Sequence, residues 1–118
     1  MVEAQITKPT ALKITEEVFN SATHGIGALL GVFGLIYGLI TIKTSIAFLV
    51  GFLVYGACLI ILMTTSSLYH ALKFTRAAKV FQILDHSSIF LLIAGSFVPF
   101  IILLYSGWSR VLILAAVW

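Results

Sequence analysis

His70, Asp85, His86 and Ser66 are the residues of this chain whose types and spacing could do chemistry. His70 closes one long apolar run in S-S-L-Y-H, Asp85 and His86 open the next in D-H-S-S, and Ser66 lies one helical turn before His70. A neutral imidazole is a natural zinc ligand, and catalytic zinc sites combine three protein ligands with a water. Asp85 would then hold that water or act on it as a general base, while Ser66 would hydrogen-bond a substrate carbonyl or the imidazole. One histidine and one aspartate do not complete a zinc site. Two further ligands are required, from His24 and His86 or from residues beyond Trp118. The same Ser66, His70 and Asp85 could also be written as a serine-nucleophile triad, but no G-x-S-x-G elbow presents the serine.

The elements that must position these residues are membrane helices. With 61% hydrophobic and only 9% charged residues in 118, the chain is too apolar for a water-soluble domain of its size. Residues 18–42, 45–69 and 87–109 contain no Asp, Glu, Lys or Arg. Each run reaches the roughly 20 residues that a helix needs to cross the hydrocarbon layer. The expected helices are 18–42, 45–70 and 85–106, with a fourth at 109–118 too short to span. The fold class is therefore all-α, a polytopic transmembrane bundle of three full helices plus the start of a fourth. The chain is expected to be a fragment of a longer protein whose C-terminal helices complete the site.

The seven Lys and Arg are spread through tail and loops, which does not make a nucleic-acid footprint. They report topology instead. Lys8, Lys13, Lys73, Arg76 and Lys79 fall on one side of the membrane against Lys43 and Arg110 on the other, so the tail (1–16) and the 71–84 loop are expected in the cytoplasm. That loop repeats Phe74, Ala77, Ala78, Phe81 and Leu84 at helical spacing, a pattern that suits either a short interfacial helix or a solvated turn. The single cysteine, Cys58, has no partner within the chain and reads as a small core residue.

Three antiparallel runs bring the start of the first, the end of the second and the start of the third into one leaflet. Glu17, Asn20, His24, Ser66, His70, Asp85 and His86 all fall there. Glu17, Asn20, His24, Gly27, Gly31, Gly34 and Gly38 step by three and four, one polar-then-glycine stripe along a single helix face. Asp85, Ser88, Leu92, Gly95, Ser96 and Pro99 form a comparable stripe, and Pro99 is expected to kink its helix. A polar residue at a helix end can simply anchor in the headgroup zone, and Asp85 near an amino terminus is favoured by the helix dipole. Seven such residues on inward faces of one leaflet are better explained as a site, because intramembrane ionisable groups are costly.

E-V-F-N-S-A-T-H at 17–24, S-S-L-Y-H ending at His70, and L-D-H-S-S-I-F-L-L-I-A-G-S-F-V-P-F at 84–100 resemble the hemolysin III family of bacteria, related to the progestin and adipoQ receptors. The resemblance implies seven transmembrane helices with a cytoplasmic amino terminus. It also implies a zinc near the cytoplasmic face, held by His70 and by an H-x-x-x-H pair on a last helix beyond Trp118. Ser66 and Asp85 fall on the serine and aspartate of the same motif. Glu17, Asn20, His24 and His86 receive supporting or structural roles. The superfamily contains hydrolases of lipid amides, whereas the bacterial branch is named for haemolysis. The expected function is thus a zinc-dependent, hydrolase-like site at the cytoplasmic leaflet, acting on or sensing a membrane lipid; the alternative is a pore-forming protein without metal catalysis.

Overall fold

The computed structural model describes residues 10–118, which form four helices and no strand: α1 (Ala11–Thr41), α2 (Ile46–Ala71), α3 (Ala78–Leu104) and α4 (Gly107–Val117). The first three are each long and apolar enough to cross a membrane, and α4, with 11 residues, is not. The described chain is an all-α, polytopic membrane fold.

Two boundaries differ from the sequence expectation, for one reason. Helix α1 begins at Ala11, not residue 18, and α3 begins at Ala78, not residue 85. Charged residues end an apolar run without ending a helix, since Ala, Lys, Gln and Glu are good helix formers and the long stem of Lys reaches back to the interface. Thr10 starts α1 by accepting a hydrogen bond from the Lys13 amide at 3.5 Å. The 71–84 segment is accordingly not a separate interfacial helix. Residues 72–77 make a compact turn, and the remainder is the first two turns of α3. Thr75 fixes that turn, donating to the Leu72 carbonyl at 2.8 Å and accepting from the Ala77 amide at 3.2 Å. The expected cytoplasmic tail lies outside the described residues as far as residue 9.

The helices form a thin layer measuring 58 × 35 × 18 Å in which α2 lies between α1 and α3, and α1 and α3 do not touch. Glycines set the spacing. A Cβ at Gly38 would stand 2.5 Å from the Phe52 ring, and one at Gly56 would stand 2.6 Å from Leu35, so α1 and α2 meet closely along the expected stripe. Across the other interface, Gly51 takes the Pro99 backbone and Gly95 takes Cys58. At the far end Gly107 adopts φ 58, and Arg110 donates to the Tyr105 and Ile102 carbonyls at 2.7 and 3.1 Å, satisfying the open end of α3. Large apolar side chains such as Leu29, Ile40, Phe90 and Leu104 are exposed, as suits helices solvated by lipid or by further helices.

Candidate functional site

The site is assembled by the antiparallel register of α1 and α2. Glycine contacts running from Gly38 and Phe52 to Gly27 and Met63 fix that register, and one step further toward the polar end they bring side chains with chemistry into contact. His24 Nδ1 lies 2.7 Å from Ser66 Oγ. Ser21 Oγ donates to the Ser67 carbonyl at 3.0 Å, and Ser67 Oγ returns the bond to the Ser21 carbonyl at 2.8 Å. His70 Nδ1 lies 2.5 Å from Glu17 Oε2, with Lys73 Nζ 3.9 Å from the other oxygen of the same carboxylate. The His24 and His70 rings meet edge to face at 5.5 Å.

The directions of these bonds matter. An ionised carboxylate only accepts, so Nδ1 of His70 carries the proton in the bond to Glu17, and Nε2 keeps its lone pair when the ring is neutral. Ser66 is buried, its hydroxyl held by His24 rather than by His70. Ser66 bonds His24, His70 bonds Glu17 and the Asp85 carboxylate bonds neither, so the Ser66, His70 and Asp85 triad is not assembled among the described residues. Tyr69, which the sequence reading passed over, is buried between the His70 and His86 rings, and its hydroxyl accepts from Lys73.

Asp85 is placed differently. It lies in the third turn of α3, so the dipole at that helix's amino terminus no longer accounts for it. Its carbonyl accepts from Ser88 Oγ at 2.8 Å, while Ser88 and Thr65 tie α3 to α2 at 2.9 Å. Its carboxylate is half-buried and makes no hydrogen bond or ion pair among the described residues. His86 is exposed, its Nδ1 on the Gln82 carbonyl of its own helix at 2.6 Å and its ring edge-on to Tyr69 at 6.4 Å. Asn20 is half-buried on the flank of α1, and no side-chain hydrogen bond joins it to the cluster.

Asp85 nevertheless shares a face with the α2 residues. Phe52 and Tyr55 line two apolar grooves, one against Gly27, Gly31 and Gly34 of α1 and one against Ser96, Pro99 and Phe100 of α3, so both grooves open on one side of the layer. Steps of seven and four carry that side from Phe52 through Leu59 and Ser66 to His70. They carry it equally from Ser96 through Leu92 to Asp85, and from Gly34 through Gly27 to Asn20.

No group of three His, Cys, Asp or Glu side chains that could hold a metal occurs among the described residues. What is present fits one ligand's share of a zinc site. Histidines that bind metals hand their other ring N–H to a carboxylate or carbonyl, as His70 does to Glu17. His24 and His86 do not join it.

A layer of antiparallel apolar helices with a polar cluster at one end defines a polytopic α-helical membrane protein. Its family follows from comparison with known proteins: the Haemolysin-III related model matches residues 12–118, and the chain belongs to that family. It is 38% identical over 107 residues to Hemolysin-3 of Bacillus cereus, a match covering 89% of this chain and 49% of that relative. It is 34% identical over 107 residues to a Hemolysin-3 homolog of Bacillus subtilis (strain 168), covering 89% and 50%. The chain thus spans about half the length of these curated relatives. No solved structure matches it.

Proposed function

We propose that these helices carry one side of a zinc-dependent, hydrolase-like site that acts on or senses a lipid amide or ester at the cytoplasmic leaflet. The observation that carries this reading is the 2.5 Å contact of Glu17 with His70 Nδ1, which turns Nε2, the lone-pair nitrogen of the neutral ring, away from the carboxylate. In this reading His70 is a metal ligand, and the remaining ligands lie in the further sequence that the relatives' greater length accommodates. Zinc bound there would supply Lewis-acid polarisation of a carbonyl and activation of water at neutral pH. Asp85, with its carboxylate uncommitted, accepts a proton from the attacking water. Ser66, held by His24, orients the substrate carbonyl. Glu17 keeps the His70 ring in one tautomer.

The test is elemental analysis of the complete gene product carrying these residues, purified in detergent without chelator. One zinc per chain is expected in the wild type and in Asp85→Ala, with hydrolysis of a lipid amide or ester reduced about 10²- to 10⁴-fold in the variant, the usual range for losing a general base. Absence of stoichiometric metal from the wild type overturns the reading. The competing reading, a pore, rests on the name of the relatives, Hemolysin-3. Dye release from liposomes that persists with chelator and with His70→Ala would favour it.

Orientation follows the cations. Lys13, Lys73, Arg76 and Lys79 stand at the site's end of the layer against Lys43 and Arg110 at the other, which supports a cytoplasmic site. In a Cys58→Ala background, a cysteine replacing Thr44 should react with an impermeant maleimide on intact cells, and one replacing Arg76 should react only after lysis. Labelling at 76 from outside would reverse the topology.

A further inference from the structure

We propose that the turn between α2 and α3, together with the groove beside it, holds an anionic phospholipid of the adjoining leaflet. Three observations carry this, none of which depends on a metal. The turn joins two membrane-spanning helices, so it lies at headgroup depth. The turn carries Lys73 and Arg76, and Lys79 follows in the first turn of α3, three cations within seven residues, while Thr75 holds the turn compact through its bonds to Leu72 and Ala77. Among the described residues the one carboxylate paired with these groups is Glu17, which faces Lys73 and His70, while Arg76 and Lys79 are exposed and have no acidic partner.

The third observation is the groove. Ile14, Val18, Ala22, Ala71 and Phe74 form the apolar walls of a cavity of about 470 Å³, on the side of α1 opposite Asn20, whose polar lining is Glu17, Ser21 and His70. Phe74 belongs to the basic turn itself and is 52% exposed. Lys73 follows the groove at its mouth, next in sequence to Phe74 and 3.9 Å from the Glu17 carboxylate, so an acyl chain along the apolar walls would bring its phosphate to the basic turn. A neutral lipid would fill the walls and leave the cations unmatched, whereas an anionic headgroup uses both.

Each cation near an anionic surface adds roughly a fivefold preference. The complete gene product, placed in nanodiscs of phosphatidylcholine with a minority of phosphatidylglycerol and then extracted, should retain phosphatidylglycerol above its bulk fraction by mass spectrometry. Arg76→Gln with Lys79→Gln should cut that enrichment on the order of tenfold or more. Lys43→Gln, at the other end of the layer, should leave it unchanged. Both replaced residues of the double variant are exposed, so folding should survive, and a thermal melt checks it. Phosphatidylglycerol at bulk fraction in the wild type overturns the proposal, as does enrichment that the double variant retains or that Lys43→Gln equally removes. Protection against heat by inorganic phosphate alone, equal to that given by phosphatidylglycerol, would reassign the cations to a soluble anion and overturn it too.

Discussion

In the proposed zinc site, replacing His70 by alanine should abolish metal binding, and replacing Glu17 by alanine should weaken it by about 10- to 100-fold, the usual effect of losing a ligand's carboxylate partner. The two effects differ because the residues do different things. In the proposed site His70 would provide the nitrogen, while Glu17, at 2.5 Å from Nδ1, would fix which nitrogen that is and how the ring is turned. Glu17→Gln separates charge from orientation, since the amide oxygen still accepts from Nδ1 but the partner of Lys73 becomes neutral. Affinity closer to wild type in Glu17→Gln than in Glu17→Ala would assign the effect to ring orientation. Wild-type affinity in Glu17→Ala would remove the main support for His70 as a ligand. Titration of the complete gene product against a competing chelator reads all three variants, with a thermal melt beside each to show that the helices remain packed.

Much of this arrangement is legible in the sequence, and what is not has a physical cause. Three uncharged runs are long enough to span, and their antiparallel order places Glu17, His24, Ser66 and His70 at one end, where they are found. The pairing within that end is not legible. Ser66 and His70 share a face of α2, which suggests that they act on each other, yet each takes a different partner from α1, His24 and Glu17 respectively. Only the inter-helix register decides this, and the register is set by glycine contacts some distance away. The start of α3 is hidden for a different reason: loss of hydrophobicity at Lys79 marks the membrane boundary, not the helix boundary. Treating the two as one placed Asp85 at a helix mouth, when seven residues of helix precede it.

Those glycine contacts also predict a change in stability. Gly51→Ala should destabilise the helices by about 1–3 kcal/mol through overpacking, and Gly51→Val by more, whereas Gly34→Ala should be neutral or stabilising by up to ~1 kcal/mol. A Cβ at Gly51 would stand 3.0 Å from Pro99 Cα and 3.1 Å from Ile102 Cδ1. Ile102 can turn aside, but Pro99 Cα is backbone inside α3 and moves only if the helix moves. Membrane helices associate through close van der Waals packing without a hydrophobic drive between them, so a forced separation is not repaid elsewhere. Gly34 belongs to the α1 stripe by spacing, yet a Cβ there meets nothing within 4 Å, and alanine gains from its better helix propensity. Unfolding of both variants in the same detergent compares them directly. Equal losses at the two positions would mean that the groove at Gly34 is filled in the complete gene product, and that close packing there extends beyond the layer formed by α1, α2 and α3.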